Sequence, residues 1–389
     1  NRHSLLRRIN IRHILLGVQF AISTALIASS LMIYYQMRHL DKRQPGYVRQ
    51  NLLVIENPIS DSSPARADWF REQLKLQSGV TSVSLSHNIP PNRPNNYASL
   101  QFTDESGTRN IHMALISVDP AFFNTLQSRI LQGRNFQSEG PSEINHSVII
   151  NEAASAMLNV NDPTGLMLEG FYDQQARRVI GMVENIHFSS LHEPAGPTAF
   201  IVSPEIYPYY WRNILIRYEE GHAGRLINWI TQVWPLEAPQ WPLQYYFVDD
   251  RYKQDYQDEH RLMYIVASFA LLAIIIAAMG LLGISMYAAG TRTREIGIRK
   301  VLGAGSASII RLISKEFMIV ILIANLIALP LAWMLVSRWL DNFASRVEVS
   351  WLIFAIPALF LTALALLTTG LVALRAAKLN PVESIQHRE

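Results

Sequence analysis

Four long stretches of this 389-residue chain contain no Asp, Glu, Lys or Arg, and they constrain its fold more than any other feature. A helix needs about 20 mostly apolar residues to cross the roughly 30 Å hydrocarbon core of a bilayer, and each stretch reaches that length. One such stretch fits a buried core helix, but four in one chain predict four transmembrane helices. The first is too long for a cleaved signal peptide and lacks a small-residue cleavage site. The predicted spans are residues 13–37, 262–289, 317–336 and 349–374.

Basic residues cluster beside these spans, in segments 1–12, 290–316 and 375–389. Together the three segments hold 13 of the 34 Lys and Arg but only four of the 31 Asp and Glu, whereas the rest of the chain holds 21 basic and 27 acidic residues. Loops that stay in the cytoplasm carry the excess of Lys and Arg. Both termini and the 290–316 segment are therefore predicted to be cytoplasmic. The large segment 38–261 and the short loop 337–348 are predicted to lie outside.

Several functional classes lose support from the composition. The basic excess lies beside the spans, so it does not indicate a nucleic-acid surface. The chain has no Cys, and no Lys follows a Gly, so thiolate chemistry and a phosphate-binding P-loop are absent from this sequence. His187 and His192, with Glu184 and Glu193 nearby, form the best metal-ligand cluster, but they follow no metalloprotease pattern and a structural role is favoured. We therefore expect no catalytic residues, no metal site and no bound cofactor.

The segment 38–261 alternates between strand-like and helix-like patterns, which predicts a large α+β domain. Two strand patterns, 51–56 and 80–86, flank a helical pattern at 65–77. The polar stretch 249–262 has helical spacing without Gly or Pro, and it predicts one helix that continues into the second span. The predicted fold is a membrane protein with four transmembrane α-helices and a large α+β extracytoplasmic domain. Further strands are predicted at 98–102, 111–118, 147–151, 177–183, 213–218 and 243–247, and further helices at 152–158 and 223–234.

The loop between the second and third spans contains the basic stretch TRTREIGIRKVLGAG at residues 291–305. Its apolar residues have helical spacing, and Glu295 with Arg299 forms a candidate i,i+4 ion pair. The pattern indicates a short docking helix at the membrane face. The alternative is a positive-inside anchor that contacts no partner. The apolar residues of this helix are Ile296, Ile298, Val301 and Leu302, and Gly303 and Gly305 are expected to end it.

Several motifs are spread along the chain: VDPAFF at 118–123, VIGMVENIHF at 179–188, REIGIRKVLGA at 294–304 and KLNPVESI at 378–385. In this order they resemble ABC-transporter permeases of the MacB/FtsX type. The shortest phrases are weak alone, but their order along nearly the whole chain is specific. The phrase VQFAIS at 18–23 resembles the fifth span of members in which the four-span unit occurs twice. The chain thus resembles the C-terminal half of an eight-span member, with an upstream portion expected.

This resemblance implies a permease of the bacterial inner membrane that works with a cytoplasmic ABC ATPase, which uses the ATP. It also implies a second permease unit, a periplasmic adaptor in some members, and export of a peptide, lipid-linked molecule or drug. The outer domain would be a porter-like subdomain with a smaller subdomain inserted near 119–190. The alternative is a signalling or scaffold protein that regulates a cell-wall hydrolase or a sensor. The residues expected to couple to the ATPase are Arg294, Glu295, Ile296, Gly297, Ile298, Arg299, Lys300, Val301, Leu302 and Gly303.

Overall fold

The chain is described by a computed structural model, and its described residues separate into a helical unit and an α/β unit. The helical unit contains the long apolar helices, and the α/β unit comprises Asp41–Gln257 with Phe343–Ser345. The residues that the structure describes are 11–42, 45–56, 64–104, 107–136, 146–188, 193–202, 212–303 and 305–378.

The helices and strands are numbered in chain order. The helices are α1 (Ile11–Lys42), α2 (Pro64–Lys75), α3 (Phe122–Leu126), α4 (Glu152–Leu158), α5 (Ala223–Glu237), α6 (Val248–Asp255), α7 (Gln257–Thr291), α8 (Thr293–Val301), α9 (Ser306–Leu340) and α10 (Leu352–Lys378). The strands are β1 (Leu52–Glu56), β2 (Val80–Ser86), β3 (Tyr97–Asp104), β4 (Gly107–Ser117), β5 (Ile130–Gly133), β6 (Ser147–Asn151), β7 (Met167–Leu168), β8 (Arg177–Val183), β9 (Thr198–Ile201), β10 (Asn213–Tyr218) and β11 (Tyr245–Phe247).

Four helices of the described residues, α1, α7, α9 and α10, are long and apolar enough to cross a membrane. Helices α1, α7 and α9 extend beyond both ends of the charge-free stretches from which they were predicted, whereas α10 begins three residues inside its stretch and extends beyond the C-terminal end. Their shared core includes Phe20, Leu281, Phe317 and Leu361, which are all buried. Much of the remaining apolar surface of these helices is exposed, as expected for side chains that face lipid.

Polar side chains inside the helical unit are bonded to one another across helices. The Thr24 hydroxyl lies 2.7 Å from Asn325 Oδ1, and Asn325 Nδ2 donates to Thr362 Oγ1 at 3.3 Å. The hydroxyls of Ser314 and Thr369 are 3.0 Å apart. These contacts connect α1, α9 and α10 with hydrogen bonds that an apolar solvent cannot supply.

The α/β unit contains two sheets. The first is four-stranded and antiparallel, in the order β11-β1-β10-β2. Helices α2 and α5 cover one face of it, with Phe70 and Trp234 among the buried residues. The second sheet has the order β3-β4-β9-β6-β8-β5, with β7 paired to β8. It mixes parallel and antiparallel pairs, and α4 packs on it through Ala154 and Leu158. The prediction of four membrane helices with an α+β domain is confirmed.

The chain enters the second sheet after β2 and returns to the first at β10, so the second sheet is an insertion in the first. It runs from Tyr97 to Ile201, and the predicted boundaries of 119–190 are therefore too narrow. The hairpin β3–β4 belongs to the insertion because β4 pairs in parallel with β9, with Ala114 opposite Thr198. That pairing joins residues more than 80 positions apart, which no local pattern indicates.

The predicted continuous helix over 249–262 is wrong. Helix α6 ends at Asp255 and α7 begins at Gln257, because Tyr256 leaves the helical conformation with φ −109° and ψ 13°. The rings of Tyr252 and Tyr256 are 4.8 Å apart and buried, and the Arg49 guanidinium lies 3.8 Å from the Tyr252 ring centroid. Packing within the α/β unit thus holds the end of α6, although the sequence contains no helix breaker there.

Candidate functional site

The short helix α8 follows α7 after a single intervening residue. The Thr293 hydroxyl donates to the carbonyl of Gly290 at 2.7 Å, and the Ile296 N–H donates to the carbonyl of Arg292 at 2.9 Å. These bonds continue the hydrogen bonding from one helix to the next. At the other end Gly303 has φ +88°, a left-handed conformation that glycine adopts without strain. The predicted stop at Gly303 is confirmed.

Two ion pairs lie on or beside α8. The predicted pair is confirmed, since Arg299 Nη2 lies 2.8 Å from Glu295 Oε1 and both side chains are half-exposed. A second pair joins Arg292 to Glu316 of α9, with a nitrogen–oxygen distance of 2.7 Å. The sequence did not indicate that second pair, because its members are 24 residues apart. Exposed pairs of this kind contribute little stability, about 0–1 kcal/mol, but the Arg292–Glu316 pair connects the residue just before α8 to α9.

The isoleucines of α8 point in opposite directions. Ile296 is only 4% exposed and packs in the core of the helical unit with Ile313 of α9 and Ala373 of α10. Ile298 is 47% exposed. The difference follows from the helix period, because residues two apart are about 200° apart around the axis. The expectation that Ile296 contacts a partner is therefore wrong, and its role is to attach α8 to the helical unit.

The outward face of α8 contains both charged and apolar side chains. Leu302, just past the end of α8, is 80% exposed. Glu295, Ile298, Arg299 and Leu302 are spaced i, i+3, i+4 and i+7, which places them along one face of a helix. This face combines two apolar side chains with an ion pair and is supported from behind by Ile296. The structure describes the backbone of α8 throughout, but not the side chains of Arg294, Lys300 and Val301 or the exposure of Gly297.

The candidate metal cluster receives no support from the structure. His192 lies outside the described residues, and within the described part of the chain no group of three or more His, Asp or Glu could hold a metal ion. Glu184 instead contacts Arg129, and Glu193 contacts Arg93. These carboxylates therefore have structural partners.

Comparison with known proteins places α8 in a recognised domain. The profile of a family described as "FtsX-like permease C-terminal" matches residues 267–381, a range that covers most of α7 and all of α8, α9 and α10. "Macrolide export ATP-binding/permease protein MacB 2" of Aeromonas hydrophila is 22% identical over 283 residues, which is 70% of this chain and 43% of that protein. Residues 267–381 thus match an FtsX-like permease domain, and the chain as a whole is similar to MacB-type permeases.

A second similar protein is "Uncharacterized ABC transporter permease YknZ" of Bacillus subtilis. It is 30% identical over 126 residues, 32% of this chain and 31% of that protein. The matches thus span less than half the length of these two curated relatives. Among solved structures, the periplasmic region of MacB from Actinobacillus actinomycetemcomitans has a TM-score of 0.39 and 14% identity, and it covers 54% of this chain and 94% of that chain.

Proposed function

We propose that this permease couples ATP hydrolysis by a separate ATPase domain or subunit to conformational change in its α/β unit. The ATPase docks on the outward face of α8. The result is export or extrusion of a substrate such as a peptide, a lipid-linked molecule or a drug. The observation that carries the proposal is the exposure of Ile298 and Leu302 on a helix whose other face is buried by Ile296. Exposed apolar side chains beside charged ones are typical of a protein–protein contact.

The attachment of α8 supports transmission of a displacement from its surface. The buried side chain of Ile296 packs against α9 and α10. The Arg292–Glu316 ion pair adds a contact to α9. Only one residue separates α8 from α7, so the two helices cannot move far apart. A displacement of α8 caused by a partner on its exposed face would therefore be transmitted to α7, α9 and α10 together.

The proposed setting is the inner membrane, with both termini and α8 in the cytoplasm and the α/β unit in the periplasm. A second permease unit completes the assembly, and a periplasmic adaptor joins it if the substrate leaves through the outer membrane. ATP is used by the ATPase and no cofactor binds the permease itself. The charge-free spans favour a substrate that is handled by the outer domain, because ion-coupled carriers place ionisable groups within their spans.

The charge-free spans are equally consistent with a second candidate function, in which no substrate is transported. A signalling or scaffold permease would use the same coupling to regulate a cell-wall hydrolase or a sensor without moving a substrate. Affinity purification of the permease from native membranes separates the two. An export system brings down an ATPase with an adaptor or outer-membrane component, whereas a regulator brings down a hydrolase or a sensor kinase.

The docking assignment is tested with the double variant Ile298→Ala and Leu302→Ala, which leaves Ile296 in place. Loss of two aliphatic side chains that docking would bury should weaken association with the co-purified ATPase by about tenfold to 100-fold and reduce ATP turnover accordingly. The measurement is ATP turnover by the assembled complex in nanodiscs as a function of ATPase concentration.

A matched control removes the same kind of side chain elsewhere in the same unit. Leu371 and Leu374 of α10 are 54% and 39% exposed, and their double replacement by Ala should leave turnover unchanged. Normal turnover in the α8 variant, or an equal loss in the α10 control, would contradict docking on α8.

A further inference from the structure

A groove of about 370 Å³ lies between the first turns of α9 and the facing side of α10. Its apolar lining includes Ile310 and Met318 of α9 and Leu366 of α10. Ser314 lies at its base, where its hydroxyl is bonded to Thr369, so the two helices are joined beneath the groove. The remaining polar lining consists of two basic side chains, Arg311 and Lys315.

The two basic side chains are available to an anion. Arg311 and Lys315 are four residues apart, so they lie on the same face of α9, and both are exposed. Among the residues that the structure describes, neither forms an ion pair with a carboxylate. The adjacent Glu316 is already paired with Arg292 at 2.7 Å. A pair of uncompensated cations above an apolar lining calls for a ligand that is both anionic and apolar.

The position of the groove along the helices indicates which amphiphile fits. Arg311 and Lys315 precede the charge-free stretch 317–336, at the depth of lipid headgroups, whereas Met318 lies within it. Leu366 is nine residues before Arg375 and so lies deeper in the apolar part of α10. From Arg311 to Met318 the groove extends about 10 Å along the helix axis. Charge at the surface and apolar contact below it match the headgroup and acyl chain of a phospholipid.

We propose that this groove binds an anionic phospholipid, with its phosphate against Arg311 and Lys315 and an acyl chain over Met318 and Leu366. Basic pockets between membrane helices on the cytoplasmic side are suited to anionic headgroups. The proposal depends on the proposed function only for the leaflet, which is the cytoplasmic one. The bound lipid strengthens the helix pair that also carries the contacts of α8, through Glu316 and through Ile313 beside the groove.

The test measures the lipid that the purified full chain retains from nanodiscs of equimolar phosphatidylglycerol and phosphatidylcholine. Native mass spectrometry should show preferential retention of phosphatidylglycerol. Arg311→Gln and Lys315→Gln should each lower that preference about fivefold, and the double variant about 25-fold, since each basic side chain near the surface contributes about 1 kcal/mol. Arg338→Gln, which removes an exposed Arg at the other end of α9, should have no effect.

A second variant tests the apolar part of the groove. Leu366→Trp fills the groove without changing its charge, and Leu366 is exposed enough to accept the larger ring. It should lower phosphatidylglycerol retention while leaving the thermal stability of the protein intact. Inorganic phosphate, added in excess, should not displace the lipid.

Three results would overturn the proposal: equal retention of the two lipids by the unmodified chain, unchanged preference in the double variant, or displacement of the lipid by inorganic phosphate. Normal retention of phosphatidylglycerol by Leu366→Trp would contradict the proposed contact between the acyl chain and the groove. The readout requires no ATPase, so a failure of coupling through α8 leaves the lipid result standing, and a failure of lipid binding leaves the coupling result standing.

Discussion

At the scale of single residues, Asp119 places a carboxylate inside the α/β unit. Its Oδ1 accepts hydrogen bonds from the Ser84 hydroxyl at 2.5 Å and from the Ala121 N–H at 3.1 Å, and Arg71 lies 3.9 Å from its Oδ2. These contacts favour the charged form, but burial opposes it more strongly and raises the pKa of Asp119 to about 6. Asp119 therefore exchanges a proton near pH 6 in the folded protein.

The raised pKa predicts a pH-dependent stability. Between its ordinary value of 3.8 and about 6, the folded state holds a proton that the unfolded state has released. The stabilising contribution is fully present below about pH 4 and is lost as the pH rises through about 6, by about 2–3 kcal/mol in all. Asp119→Asn should remove this dependence, so its unfolding free energy should rise relative to the unmodified chain from about pH 5 to about pH 7.

Thermal unfolding in nanodiscs, followed by Trp fluorescence at several pH values, measures this difference. Asp162→Asn is the control, because the Thr164 hydroxyl bonds that exposed carboxylate at 2.6 Å and lowers its pKa. Its contribution to stability is present above the unfolded pKa and lost as the pH falls, so it should not change over the same window. Parallel curves for Asp119→Asn and the unmodified chain would contradict a raised pKa for Asp119.

Two isoleucines show what a sequence pattern cannot supply at this scale. The apolar residues at 296, 298, 301 and 302 are distributed around the whole circumference of α8. Their spacing therefore predicts a helix but does not predict which side of it faces the other helices. The structure buries Ile296 and exposes Ile298 because the inward side is defined by residues of α9 and α10. The ion pair Glu295–Arg299 could be predicted because both members belong to one helix.

At the scale of elements, the interruption at Tyr256 divides the helix that was predicted to run from 249 into the second span. Gly and Pro are the local signals of a helix end, and neither occurs between α6 and α7. The break results from tertiary contacts, since Tyr252 and Tyr256 pack together and Arg49 covers Tyr252. A rigid element of the proposed transmission therefore begins at Gln257 and consists of α7 alone.

Insertions in the first turn of α7 test that transmission. Four Ala between Glu259 and His260 add about one helical turn, so the direction of the helix face is nearly kept. Gly-Gly-Ser-Gly at the same place costs about 1 kcal/mol for each Gly and destroys rigidity. We expect ATP turnover to persist with both inserts, and transport or signalling output to be retained better with Ala than with the glycine-rich insert.

The paired inserts have the same length, so the difference between them isolates rigidity from displacement. Topology labelling and thermal unfolding of both variants establish that each is inserted and folded. Wild-type output from both inserts would show that α7 is not required as a rigid element. Equal loss from both would show that the original helix length matters more than stiffness.

At the scale of the whole molecule, strands could be predicted better than their pairing. The patterns at 80–86, 147–151, 177–183 and 213–218 coincide with β2, β6, β8 and β10. The assignment of β3 and β4 to the second sheet could not be predicted, because hydrogen bonds to β9 decide it and β9 is distant in sequence. Similarly, the four long helices follow from composition alone, whereas the groove between α9 and α10 depends on their packing.

The proposed orientation of the protein in the membrane leads to the last prediction. Because the chain has no Cys, a single introduced thiol reports one position without background. Thr108 of β4 and Ser308 of α9 are both exposed, and the first belongs to the α/β unit while the second is close to α8. The excess of basic residues near Ser308 predicts that it is cytoplasmic. An impermeant maleimide should therefore label Thr108→Cys but not Ser308→Cys in intact spheroplasts. Both should react in detergent, which shows that each thiol is accessible in the folded protein, and labelling of Ser308→Cys alone in spheroplasts would reverse the orientation.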